Sequence, residues 1–216
     1  MLRIILLNYK RPNNVKAICD SLCKNFKITV INNNPTQPFN HPKVDVINNT
    51  KNKYCIERWL RCFDYPEEYK LILDDDLLPH PLLIKKMYDM QQDIVGIYGK
   101  HGVSRAKHYK QLKDVWCTAA QVDFLVGSVI MVKQSCLDSV KSDILANIHL
   151  TRGDDILVSY LIKKLKKYTH LPTVSGKVLN LGEGDVGLNK HPDHFTKRWE
   201  VLQECQIGRA SCRERV

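Results

Sequence analysis

The sequence lacks the features that define several large classes of protein. No stretch approaches the length of a membrane span, and the apolar start Ile4–Leu7 is far too short for a signal-peptide core. None of the eight cysteines sits in a Cys-x-x-Cys pair. Cys19 and Cys23 share one helix face and Cys55 and Cys62 another. That spacing argues against structural zinc and for reduced thiols in a core, hence a reducing, cytoplasmic compartment. Internal repeats, low-complexity segments and a domain boundary are all missing. So is a Lys/Arg stripe interleaved with aromatics, which a nucleic-acid binder would need. The formal net charge of +10 is spread among interleaved acids and bases, and Lys163-Lys164-Leu165-Lys166-Lys167 reads as one solvated helix face. Such a surface steers anions, nucleotide diphosphates among them, without selecting one.

What is present is organised around Tyr69-Lys70-Leu71-Ile72-Leu73-Asp74-Asp75-Asp76-Leu77-Leu78-Pro79. Leu71–Leu73 reads as a buried strand, and three carboxylates follow it without a break. Three adjacent like charges destabilise a fold unless a cation sits among them. Mg²⁺ or Mn²⁺ takes oxygen ligands and, with few protein ligands, leaves positions for phosphate oxygens. The competing reading is an acidic turn capping a helix that starts near Pro81. A cap needs one carboxylate, not three.

The chain has 216 residues, of which 44% are hydrophobic, enough for one domain with a sizeable core. Ile207–Val216 reads as the translation of a common sequencing adapter, so the domain is expected to span residues 1–206 with 207–216 outside the fold. Without that stretch Lys+Arg falls from 33 to 30 and Asp+Glu from 23 to 22, so the net charge becomes +8.

The first half reads as strand Leu2–Leu7, helix Pro12–Lys24, strand Ile28–Ile31, short strand Val44–Ile47, helix Lys53–Phe63 and then the central strand. This alternation predicts an α/β fold with a mixed, mostly parallel central sheet flanked by helices, and ligands beyond the carboxyl ends of its strands. The polar clusters lie at those ends: Asn8–Arg11, Asn32–Asn34, Asn48–Thr50 and Asp74–Asp76. The second half is less regular. Strands are expected at Ile94–Tyr98, Val115–Thr118, Val122–Val126, Gly127–Val132 and Val174–Leu179, with a basic loop or ribbon over Gly99–Lys113. Gly127 marks a close approach to the backbone. Helices are expected from Gln134, from Thr151-Arg152-Gly153-Asp154-Asp155 through Lys167, and over Pro192–Glu204, with a flexible loop at Gly182–Gly187.

An α/β domain with Asp-x-Asp ending a mid-chain strand resembles the GT-A class of nucleotide-sugar glycosyltransferases, a single Rossmann-like domain. Arg152-Gly153-Asp154-Asp155-Ile156-Leu157-Val158-Ser159-Tyr160 looks like the acidic helix-opening motif of that class. The nearest match is the exostosin-like (family 64) catalytic domain or a related family 2-like enzyme. Gly187-Leu188 followed by Pro192-Asp193-His194-Phe195-Thr196-Lys197-Arg198 is similar to the C-terminal helix of the exostosin-like family. The chain lacks an obvious pair of that family's disulfide cysteines.

The resemblance implies transfer of a sugar from a nucleotide-diphosphate donor, a UDP-sugar by family, to a glycan, lipid or other hydroxyl acceptor, with Mn²⁺ or Mg²⁺ as cofactor. It implies that Asp76 binds the metal and that Asp74 or Asp75 holds the ribose or metal waters. The metal then neutralises charge on the departing diphosphate. His194 and Arg198, four apart on one helix face, would offer an imidazole to the metal and a guanidinium to phosphate, with His191 as a rival. Tyr9, Lys10 and Arg11, with Asn32 and Asn33, would meet base, ribose and diphosphate. Arg58 is either a nucleotide contact or a structural salt bridge. Asp154 or Asp155 would act on the acceptor, as a base in an inverting enzyme or as an electrostatic stabiliser in a retaining one. Capping and helix-dipole charges are the plainer reading of that pair. The rivals are a sugar nucleotidyltransferase, a non-catalytic sugar-nucleotide or nucleic-acid-binding basic domain, and a phosphatase of the haloacid-dehalogenase type. The last would carry its Asp-x-Asp on the first strand.

Overall fold

The computed structural model describes residues 1–182, 187 and 190–206. The expected tail Ile207–Val216, Leu188 and most of the Gly182–Gly187 loop lie outside the described residues. In chain order the elements are β1 (Leu2–Asn8), α1 (Pro12–Leu22), β2 (Lys27–Asn32), β3 (Asp45–Asn48), α2 (Ile56–Arg61), β4 (Tyr69–Leu73), β5 (Leu77–Pro79) and α3 (Pro81–Asp89). There follow β6 (Ile94–Gly96), β7 (Tyr98–His101), β8 (Lys113–Trp116), β9 (Ala120–Val122), β10 (Phe124–Leu125), β11 (Val129–Lys133), α4 (Gln134–Ser139) and α5 (Lys141–Ala146). The chain then forms α6 (Asp154–Lys166), β12 (Leu171–Thr173), β13 (Val178–Asn180) and α7 (His194–Gln206).

Eight strands form one sheet in the order β3-β2-β1-β4-β11-β6-β12-β9. β3, β2, β1 and β4 run parallel, β11 is antiparallel between β4 and β6, and β12 is parallel to β6. The expected mixed, mostly parallel sheet is therefore present, with the aspartate strand at its centre. β7, β8 and β10 make a separate three-stranded antiparallel ribbon. A ribbon was one of the two forms expected over Gly99–Lys113. Two expected strands are instead broken in two, and a third is displaced. Residue 97 separates β6 from β7, Asp123 separates β9 from β10, and of Val174–Leu179 only Val178 and Leu179 are in a strand, β13. At each break the chain leaves one sheet for another, so no single pairing partner extends through it. The helix expected over Lys53–Phe63 is also shorter, with its end tightened into a 3₁₀ turn at Cys62–Asp64.

The sheet is buried on both faces because its strands carry apolar residues at odd and even positions alike. Ile4, Leu6, Leu71 and Leu73 pack with Val15, Ile18, Leu83 and Met87 of α1 and α3. Ile5, Leu7 and Ile72 face the other way, onto Trp59 of α2 and Leu157, Val158 and Leu161 of α6. A third cluster joins Tyr109, Phe124, Ile156, Val201 and Leu202, and so ties α7 to α6 and the ribbon. The described cysteines are all free, with Cys19, Cys62 and Cys136 buried. Among the described residues no helix is long and apolar enough to cross a membrane.

Candidate functional site

A cavity of about 1040 Å³ opens over the carboxyl ends of β1 and β4 and the start of α6. Of the expected site residues, Tyr9, Lys10, Arg11, Asn33, Arg58, Asp74, Asp75, Asp76, Asp154, Asp155, His194 and Arg198 all line it, as does the rival His191. Asn32 does not. It is fully buried, and its amide brackets the loops after β1, β2 and β3 through Asn8, the carbonyl of Gln37 and Asn48. It therefore supports the site from behind. Asn33 faces the cavity, fixed by bonds to the Tyr54 carbonyl (2.9 Å) and Asn49 (2.8 Å).

The carboxylates are held by arginines. Arg58, on α2, bonds Asp74 through Nη1 and Asp154 Oδ2 through Nε (3.1 Å) and Nη2 (3.0 Å). The indole of Trp59 donates to the same Asp154 oxygen at 2.8 Å. Arg11 pairs with Asp75 and lies 3.5 Å from Asp76 Oδ2, while the Tyr9 N–H donates to Asp75 Oδ2 at 2.8 Å. Arg198 forks onto Asp155 at 3.0 and 2.8 Å and uses its Nε on the Tyr109 hydroxyl. The cation that three clustered carboxylates require is thus supplied in part by guanidinium groups. Arg58 is the structural bridge between the two acidic sets, and Arg198 is committed to Asp155. Five aspartates meet three arginines in this group, and Lys10, Lys100, Arg152 and Lys190 also line the cavity, so its wall carries both signs of charge.

Position explains the electrostatics. Burial pushes the Asp74 carboxyl above its ordinary value against the pull of Arg58. Burial likewise takes Asp75 up to about 6, opposed by Arg11 and the Tyr9 amide. For Asp155 burial is outweighed by Arg198 and the Gly127 N–H, so its carboxyl lies below the usual range. Burial, seconded by Arg198, lowers the His194 imidazole to about 4, which keeps it neutral near pH 7.

Asp154 and Asp155 do not cap α6. The N-cap is Gly153, at φ 78°, a left-handed conformation suited to glycine, and Val201 of α7 packs within 3.2 Å of where a Cβ would stand. The two aspartates occupy the first turn, where the helix dipole favours them, yet their hydrogen bonds run to α2, α7 and Gly127. Gly127 performs the role its sequence position announces. Its N–H meets Asp155 Oδ2 at 2.5 Å, and a side chain there would collide with Arg58.

Several cavity residues carry no sequence signal of their own. Tyr98, Lys100, Asp114 and Trp116 reach it from the β7–β8 ribbon, with Trp116 edge-on to Tyr98 at 5.2 Å between ring centres. Tyr54 lines it from the loop before α2. Tyr54 and Lys10 are non-glycine residues at positive φ, 59° and 64°, a strain that proteins concentrate at functional sites. Two buried polar atoms on the cavity wall, Arg152 Nε and His194 Nδ1, have no hydrogen-bond partner among the described residues.

The aspartate end offers the oxygen donors that hard divalent cations take. Asp74 and Asp76 retain side-chain exposures of 30% and 20% toward the cavity, and a neutral imidazole with an unbonded nitrogen stands on its wall. Asp74, Asp76 and His194 do not converge as a ready three-ligand cage. Among the described residues only His101, Asp123 and His170 bring three such ligand atoms within 4.8 Å of one another.

The fold is that of a GT-A-like, Rossmann-type domain, with a cleft over the central aspartate strand. Solved structures share that fold. S. aureus TarS 1-349 in complex with UDP-GlcNAc superposes with a TM-score of 0.57 at 13% identity, covering 99% of this chain and 67% of that one. Another structure of S. aureus TarS 1-349 has a TM-score of 0.52 at 13% identity over 82% of this chain. There the match spans only 58% of the TarS chain. The 2-C-methyl-D-erythritol 4-phosphate cytidylyltransferase of Thermus thermophilus has a TM-score of 0.53 at 8% identity, over 94% of this chain and 100% of its own. No family model and no curated protein matches the chain.

Proposed function

We propose that the chain is a metal-assisted glycosyltransferase taking its sugar from a nucleotide-diphosphate donor, a UDP-sugar first among the candidates. The observation that carries this is the acidic end of the cavity. Asp74, Asp75 and Asp76 stand at the carboxyl end of the central strand, partly neutralised by arginines, facing a cleft large enough for a nucleotide sugar. The likeness to a TarS structure holding UDP-GlcNAc supports the same reading at the level of fold. A bound Mn²⁺ or Mg²⁺ would supply Lewis-acid neutralisation of the departing diphosphate. Asp76 and Asp74 would hold it, leaving positions for phosphate oxygens.

The chain's own residues divide the remaining work. Tyr9, Asn33 and Tyr54 form the end suited to a base and ribose, and Lys10, Arg11 and Arg152 offer charge to the diphosphate. Arg198, oriented by Asp155 and Tyr109, presents a fixed positive field beside the leaving group. Asp155 is a weak proton acceptor because its partners hold it ionised, and Asp154 Oδ2 already accepts three donors. The pair is better suited to orienting Arg198 and Arg58 and to stabilising positive charge at the reacting sugar than to general-base catalysis. Trp116 and Tyr98 give the acceptor side an aromatic face.

The test is to incubate the protein with UDP- and GDP-sugars and Mn²⁺ and to measure nucleoside diphosphate release and sugar transfer. Release of UDP abolished by Asp76→Asn supports the proposal, and inertness toward every donor contradicts it. A second reading, nucleotidyl transfer, is favoured by the full-length likeness to the cytidylyltransferase. Formation of pyrophosphate from a nucleoside triphosphate and a sugar phosphate would establish it instead.

A further inference from the structure

His101, Asp123 and His170 converge on the face of the molecule where the ribbon meets the main sheet. Their ligand atoms lie within 4.8 Å of one another. His101 Nδ1 is 3.6 Å from Asp123 Oδ2, and His170 Nε2 is 3.5 Å from Asp123 Oδ1. At those separations neither imidazole makes a good hydrogen bond to the carboxylate. They are the separations expected of two ligands on one tetrahedral ion, about 3.4 Å for bonds of about 2.0–2.1 Å. The imidazole rings stand 5.7 Å apart, tilted by 41°.

The placement is built by the backbone. Asp123 is the residue at which the chain passes from β9 in the large sheet to β10 in the ribbon. Val122 pairs with Leu171, so His170 sits one residue before that rung, and Phe124 pairs with Lys100, so His101 sits one residue after it. The Asp123 N–H bonds the Lys100 carbonyl at 2.8 Å. The Asp123 carboxylate is fixed by the amides of Gly102 (2.7 Å) and Val103 (2.9 Å), and His170 Nδ1 stands 3.3 Å from the Thr169 hydroxyl. These partners orient the metal-facing side chains as outer hydrogen bonds do in metal sites. The neighbouring cation, Lys163, is tied to the Asp123 carbonyl rather than to its carboxylate.

We infer that His101, Asp123 and His170 form a second metal site, for Zn²⁺ or a similar borderline transition ion, that fastens the β7–β8 ribbon to the main sheet. Two imidazoles and one carboxylate suit such ions and not Mg²⁺ or Ca²⁺, and water would complete the coordination. The ion would brace from behind the ribbon that presents Tyr98, Lys100, Asp114 and Trp116 to the cavity. The site is independent of the proposed transfer chemistry.

Cobalt(II) titration of reduced, EDTA-treated protein tests it, in an Asp76→Asn background that weakens any site at the cavity. The parent should take up one equivalent with weak d–d absorption and without the intense charge-transfer band of thiolate ligands. Zn²⁺ at a hundredfold excess over its Kd should raise the melting temperature by about 5–10 °C. His101→Ala and His170→Ala, both exposed and expected to fold normally, should each lose the absorption and the thermal shift, whereas His149→Ala should keep both. Failure of the parent to bind Co²⁺, or binding that survives either histidine substitution, overturns the inference.

Discussion

The two acidic sets that meet at the cavity are built from the same residue types yet are environmentally opposite. Asp74 and Asp76 follow a strand end and keep side-chain exposures of 30% and 20%, whereas Asp154 and Asp155 open a helix at 4% and 1%. The strand-end set can exchange solvent for a ligand. The helix-start set is already engaged by Arg58, Trp59, Gly127 and Arg198. A carboxylate that faces a cleft can therefore be either a ligand or the fixture that aims a guanidinium, and exposure separates the two roles. Arg58 links the sets, so they should respond together when it is lost and separately otherwise.

The largest effect should come from cutting that link. Arg58→Met leaves Asp154 buried without its main counter-charge and Asp74 without its own, which should cost about 3–5 kcal/mol. Urea denaturation should show it, and a change below about 1 kcal/mol would mean the arginine is not the bridge. Next, Asp155→Asn removes the charge that orients Arg198 and places an amide against the Gly127 N–H. Transfer should fall by about 10²–10⁴-fold while affinity for UDP with Mn²⁺ changes little. Unchanged turnover would reduce the pair to a helix-dipole device.

Asp76→Asn should do the reverse, shifting stability by no more than about 0.5 kcal/mol while weakening nucleotide and metal binding together. The last effect is pH-linked. His194 titrates in the fold near 4, below its ordinary value, so the unfolded chain binds more protons between those two points. Stability should therefore fall as pH drops from about 6.5 toward 4, and His194→Gln should flatten that part of the profile. A profile identical to the parent's would show the imidazole is not held neutral by its surroundings.

The regions differ in how well the sequence announces them. The parallel half was legible, because its strands are mostly apolar and each ends at asparagines or aspartates. Tyr9, Arg11, Asn33 and Asp74–Asp76 follow from that alone. The ribbon half was not, since β7, β9, β10 and β12 are each no longer than four residues and exchange partners at Asp123 and near residue 97. Trp116 and Lys100 arrive at the cavity through those connections, and nothing local to them, or to Tyr54 in the loop before α2, indicates it. Asn32 was misplaced for a related reason. An asparagine at a strand end looks alike in sequence whether its amide turns to a ligand or brackets neighbouring loops. The pairing of each aspartate with an arginine far along the chain is likewise a product of topology.

The central claim is that the acidic strand end holds a nucleotide diphosphate through a divalent cation. Calorimetric titration of the intact protein with UDP, in Mn²⁺ and again in EDTA, addresses it directly. Binding that is at least tenfold tighter with Mn²⁺, and that loses this dependence in Asp76→Asn, is the predicted result. Equal affinity in EDTA, or no UDP binding in either condition, would contradict it.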